Sequence, residues 1–168
     1  SLGTQRTGAD YALVTSELGS DDAMLAQWPH AFHGELTVML EGDRVDMEFC
    51  VTNTGGTPFE FTGASHSCLR VEHVEKISLE GLAGHDYRDA IDGGLVAREE
   101  ITELVVESEI DRVYHNVKAP QVLHNGKQSL AIQSQGFPDV VVWNPWVDRC
   151  ADLKDMPANG WRHMLCVE

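Results

Sequence analysis

Residues 35–53 read ELTVMLEGDRVDMEFCVTN. Glu35–Leu40 alternates apolar and polar residues into a Glu41-Gly42-Asp43 turn, and Val45, Met47, Phe49 and Val51 then share one face of Val45–Asn53. Alternation with a period of two on both sides of a Gly-containing turn is the pattern of a β-hairpin. Asn53-Thr54-Gly55-Gly56 ends its second strand. The same period recurs outward from this hairpin, predicting strands at Tyr11–Thr15, Pro58–Ala64, Lys76–Glu80, Ile101–Val106, Ser129–Ile132, Val140–Asn144 and Met164–Val167. Helical signals are brief. Ser20 ahead of Asp21 and Asp22 offers an N-cap for Ala23–Gln27 before Pro29, and a second short helix is expected from Pro145 toward Leu153. Many strands with few short helices predict an all-β antiparallel sandwich. No internal repeat or linker divides the chain, so residues 1–168 are expected to form a single domain.

At 168 residues the chain is long enough to bury about 70% of its unfolded surface. Charged residues make up 23% and apolar ones 42%, which argues against wholesale disorder. No apolar run approaches the roughly 20 residues that span a bilayer, and no secretion signal is visible, so a soluble, cytoplasmic protein is expected. The net charge of −15, from 27 acidic against 12 basic residues, would repel phosphate backbones and anionic membranes. Nucleic acid and membrane are therefore not expected partners. The four cysteines, Cys50, Cys68, Cys150 and Cys166, show no Cys-x-x-Cys spacing and read as free buried thiols in a reducing compartment. His73, His85, His115, His124 and His163 lack the tight spacing of metal ligands, so neither a metal site nor a cofactor is expected.

Two titratable residues stand at the ends of apolar stretches. His66 follows Pro58–Ala64, and Glu168 follows Met164-Leu165-Cys166-Val167. A carboxylate held by a buried strand with its oxygens facing a cleft suits acid–base chemistry on a neutral ligand. Taken alone, His66 reads first as a structural histidine and Glu168 as a solvated terminal residue. Of the two tryptophans near the end of the chain, alternation after Val141 assigns Trp143 to the core, while Trp146, beyond Asn144-Pro145, is expected to face the cleft.

The order of five stretches resembles the galactose mutarotase-like superfamily, in its hexose-6-phosphate mutarotase or aldose 1-epimerase-related branch. They are VTNTGGTPFEFTGASHS at Val51–Ser67, ISLEGLAGHDYRD at Ile77–Asp89, EIDRVYHN at Glu109–Asn116, PDVVVWNPW at Pro138–Trp146 and MLCVE at Met164–Glu168. The resemblance implies a supersandwich fold, present here in part, that binds an aldose on one sheet. It implies His66 as the acid toward the ring oxygen and Glu168 as the base toward the anomeric hydroxyl. It places Asp111 on sugar hydroxyls, with Arg112 orienting that carboxylate or meeting an anionic substituent. The family's upstream His-Gly-Phe-Ala-Arg segment lies outside the matched stretches, and its usual strands beyond the glutamate do too. Its usual Ala-Leu-His-Thr-Tyr is here Ala64-Ser65-His66-Ser67-Cys68, so Cys68 replaces an aromatic side chain. The function this implies is interconversion of α and β anomers of a hexose or hexose phosphate. A carbohydrate-binding sandwich without turnover is the alternative. An incomplete sandwich would also leave sheet edges unpaired, and such edges recruit partners, so a homo-oligomer is a further expectation.

Overall fold

The computed structural model describes residues 1–168, and their packing groups them into two compact units, 1–62 and 63–168. The first unit is a four-stranded antiparallel meander. β1 (Leu2–Thr7), β2 (Tyr11–Gly19), β3 (Phe32–Glu41) and β4 (Arg44–Asn53) lie side by side in chain order. The hairpin read from residues 35–53 is β3–β4, in continuous register from Phe32 opposite Asn53 to Glu41 opposite Arg44. Gly42 begins its turn at a φ of 58°, a left-handed value that costs a residue without Cβ little. A short helix, α1 (Asp22–Gln27), links β2 to β3. Its N-cap is Asp21, whose carboxylate accepts from the Met24 N–H at 2.8 Å. Ser20, the expected cap, instead accepts from the Phe32 N–H.

The expected strand at Pro58–Ala64 does not form. Proline removes one ladder donor. Phe59 packs its ring on Trp28 at 4.9 Å and on Phe61 at 6.3 Å, so aromatic stacking satisfies the apolar alternation without a sheet partner.

The second unit is a sandwich built from β5 (Cys68–Arg70), β6 (Ser78–Glu80), β7 (Asp86–Asp89), β8 (Leu95–Arg98), β9 (Glu103–Leu104), β10 (Ile110–Tyr114), β11 (Gln121–Asn125), β12 (Gln128–Ile132), β13 (Val140–Asn144), the helix α2 (Trp146–Asp152) and β14 (Met164–Val167). One sheet has the order β5-β14-β13-β10-β7-β8 and the other β12-β11-β6-β9, with every pairing antiparallel. Their shared core takes Ile110, Tyr114, Val142 and Leu165 from the first sheet and Leu79, Leu104 and Leu123 from the second. β13 alternates buried and half-buried residues along its length, the pattern of a strand with one face on a core. The all-β antiparallel architecture with two short helices is thus the one that the alternation predicted.

Arg112 lies on the core side of β10. Its Nε is 3.1 Å from Asp89 Oδ2 and its Nη1 is 3.2 Å from Glu99 Oε2, and the guanidinium lies over the Tyr87 ring at 4.5 Å. Glu99 is 4% exposed and also accepts from the Tyr114 hydroxyl at 2.9 Å and from the Ile101 N–H at 3.1 Å. One guanidinium therefore neutralises a nearly buried carboxylate and joins β7 and β10 to the segment after β8. Removing it leaves Glu99 charged and unmatched in a low-dielectric site. Arg112→Ala is expected to cost about 3–5 kcal/mol in denaturant unfolding, with the double variant Arg112→Met/Glu99→Leu recovering much of the loss. A single-variant loss below about 1 kcal/mol would show the cluster to be no more than a surface ion pair.

Candidate active site

The site is set by the register of β14. Val141 and Glu168 exchange two backbone hydrogen bonds, at 2.8 and 2.9 Å, which fixes β14 against β13. On its other edge the Val167 N–H donates to the Ser67 carbonyl at 3.2 Å, one residue before β5 begins. Cys166 stands opposite Cys68 across this edge, so continuing the register places Glu168 opposite His66. Both are non-hydrogen-bonded positions, where antiparallel backbones come closest, about 4.5 Å between Cα atoms, and side chains meet. His66 Nδ1 accordingly lies 2.8 Å from Glu168 Oε1. The histidine precedes β5 and does not close a strand, contrary to the expectation from residues 58–64.

The same register runs on across the sheet. Cys166 is opposite Trp143 on β13, and Trp143 is opposite Asp111 on β10. Since side chains alternate faces, one face carries His66, Cys68, Cys166, Glu168, Trp143 and Asp111, while the other carries Leu165, Val167, Val142 and Tyr114 into the core. The Trp143 ring stands edge-on to the His66 ring, with centroids 6.3 Å apart and planes at 77°.

Of the residues expected at a site, the structure brings His66, Glu168 and Asp111 to one face. Arg112 is turned away from Asp111, because adjacent residues of a strand point to opposite faces, and it is engaged by Asp89 and Glu99. Trp146 does not face the site either. It packs on Trp161 with ring centroids 4.4 Å apart, against the edge of the core, and its backbone N–H donates to Asn144 Oδ1. The roles expected of the two tryptophans are therefore exchanged. Trp143 is the one beside His66, and the signal was available, since Val141 and Trp143 are two residues apart and so share a face. The apolar character of all of Val140–Trp143 hid which face that was.

Asn144 was not singled out from sequence, yet it positions the site. It is fully buried, and its Nδ2 donates to the carbonyls of Trp161 and Met164 at 2.7 and 2.8 Å. That side chain ties the end of β13 to the turn that leads into β14. The cysteines also divide differently from expectation: Cys150 and Cys166 are buried, whereas Cys50 and Cys68 are exposed. Cys68 Sγ lies 2.8 Å from Cys166 Sγ.

Glu168 has 12% of its side chain exposed, against 63% for His66. Burial pushes its carboxyl above the ordinary range; His66 and a hydrogen bond from Cys166 pull it down, and the like charge of Asp111 pushes it up. The net direction is upward, which makes it a stronger base than a solvated carboxylate. Burial also pushes the Cys166 thiol up, as do hydrogen bonding and charge from Cys68.

A carboxyl whose folded value lies above its unfolded one contributes stability below the unfolded value, and that contribution is lost as pH rises through the folded one. A carboxyl-resolved NMR titration of Glu168 is expected to give a midpoint above the ordinary carboxylate range. Asp111→Asn should move it down by removing a like charge, and His66→Ala should move it up. An ordinary midpoint, or one indifferent to Asp111, would contradict this electrostatic account.

The chain resembles known proteins over nearly its whole length. It is 37% identical over 153 residues to a protein of Cenchrus ciliaris named "Putative glucose-6-phosphate 1-epimerase", covering 84% of this chain and 44% of the relative. An Escherichia coli K12 protein of the same name is 27% identical over 172 residues, covering 99% of this chain and 55% of the relative. The chain thus spans about half the length of these curated relatives. Among solved structures, a crystal structure from Salmonella typhimurium titled as "a putative mutarotase" superposes with a TM-score of 0.90 at 24% identity, over 99% of this chain and 55% of that one. These likenesses agree with the motif order read from the sequence. With the family model of aldose 1-epimerase matching residues 2–168, the chain belongs to the aldose 1-epimerase family.

Proposed function

We propose that the site interconverts the α and β anomers of an aldose, with Glu168 as base and His66 as acid. The observation that carries this reading is the 2.8 Å approach of His66 Nδ1 to Glu168 Oε1 from cross-strand positions. Opening a pyranose requires removing the proton of the anomeric hydroxyl while giving one to the ring oxygen. Both oxygens are bonded to the same carbon, so the groups serving them must converge on one spot. Facing residues on adjacent strands do so. A sugar enters by taking the place of the direct contact, its hydroxyl on Glu168 and its ring oxygen toward the imidazole. Rotation about the first C–C bond then exposes the other carbonyl face, and the same two proton transfers run backward to close the ring.

The neighbouring residues support the reading. The upward displacement of the Glu168 carboxyl suits a base, Asp111 offers acceptors to sugar hydroxyls, and Trp143 provides a ring for stacking beside His66. The substrate we assign is a hexose or hexose phosphate, the latter suggested by the name that the Cenchrus and Escherichia relatives carry.

Relaxation of freshly dissolved anomers of glucose, galactose and their 6-phosphates, followed by polarimetry or NMR, tests the assignment. The intact chain is expected to accelerate relaxation of at least one of them, and His66→Ala and Glu168→Gln each to lose about a hundredfold to ten-thousandfold. Equal rates with and without the protein, or with His66 present and absent, would rule the proposal out.

A further inference from the structure

We propose that His66, Cys68 and Cys166 form a binding site for a soft divalent cation, zinc above all, and that loading it silences the acid–base pair. Its regulatory part rests on the function proposed above; the binding itself does not. The donor atoms of these three residues all lie within 4.8 Å of one another. Cys68 Sγ is 4.0 Å from His66 Nδ1 and 2.8 Å from Cys166 Sγ. With zinc–sulfur bonds of about 2.3 Å and zinc–nitrogen bonds of about 2.0 Å, ligand atoms around a tetrahedral ion stand roughly 3.5–4 Å apart. The first separation already fits. The second reaches that range by a small rotation of Cys68, which is free to make it because its side chain is exposed.

Two thiolates and an imidazole are a donor set for zinc and not for magnesium or calcium, which take oxygen ligands. Glu168 Oε1 stands 2.8 Å from that same His66 Nδ1, where the carboxylate can turn to the ion and complete the shell. The arrangement also has a floor and an entrance, since Cys166 is buried whereas His66 and Cys68 face solvent. No spacing along the chain announces it. His66 and Cys68 are two apart, and Cys166 joins them only because β14 pairs with β5. A ring nitrogen that holds the cation carries no proton to give to a ring oxygen, and Nδ1 is the nitrogen that faces Glu168, so metal and sugar compete for the same atom.

Cobalt(II) serves as the spectroscopic probe and zinc as the calorimetric one, on the full chain kept reduced by a non-thiol phosphine. The expected result is one cation per chain, with a thiolate-to-cobalt charge-transfer band. Cys68→Ser should abolish the band and weaken zinc binding by at least about a hundredfold, the upper end of what loss of a supporting group alone costs. Cys166→Ala should do the same, and Cys50→Ser should change nothing. Absence of the band in the unaltered chain, or an equal band in Cys68→Ser, would overturn the site. In the relaxation assay zinc should stop the unaltered chain and spare Cys68→Ser relative to its own metal-free rate; equal inhibition of both would overturn the silencing. A protein that binds cobalt as described but never accelerates relaxation would refute the proposed function and leave the metal site standing.

Discussion

The antiparallel register of β14 between β5 and β13 is the constraint on which the rest depends. It is fixed by the paired backbone hydrogen bonds of Val141 and Glu168, by the bond from Val167 to Ser67, and by Asn144 reaching over to the Met164 carbonyl. A slip of one residue would turn Leu165 and Val167 out of the core and point Cys166 and Glu168 into it. The apolar face thus holds the polar face in place. Burying Leu165, Val167 and Val142 stabilises the fold, at about 1.5–3 kcal/mol for a fully buried side chain of this kind. The same alternation presents His66 to Glu168 and Cys68 to Cys166 on the opposite side.

Adjacent residues on β10 show how far a one-residue step separates roles. Asp111 lies in the row of the candidate site, where its charge raises the Glu168 carboxyl. Arg112, next in the chain, serves the core by neutralising Glu99. A buried carboxylate with a guanidinium, a tyrosine hydroxyl and a backbone N–H on it is a satisfied one. That cluster lies on the core side of β10, and the face bearing Asp111 keeps an acidic character in keeping with the chain as a whole.

Cys68, where the resemblance leads to the expectation of an aromatic side chain, shapes the surroundings of the histidine in two ways. It leaves Trp143, reaching in from β13, as the aromatic surface beside His66. It also sets a second thiol directly opposite Cys166. One residue at a cross-strand position thereby bears on both the apolar surface and the set of soft donors around the imidazole. The second follows from sheet geometry, because a side chain at a non-hydrogen-bonded position meets its partner before anything else.

The period of two along Glu35–Leu40, Val45–Asn53, Val140–Asn144 and Met164–Val167 determined the all-β antiparallel fold, because alternation is a local property that needs no partner to be recognised. The ordered motifs determined the family, and with it His66 and Glu168 as a pair to look for. Strands such as Asp86–Asp89 and Gln121–Asn125 escaped, being mixed in polarity and held by neighbours on both sides, while Pro58–Ala64 alternates without any strand to pair with. What only the tertiary structure decided is which face each residue takes and what stands opposite it. Trp143 in place of Trp146, Arg112 withdrawn into the core and Cys166 against Cys68 all depend on hydrogen-bonded register between segments as much as 98 residues apart. The chain's own order carries no record of that distance.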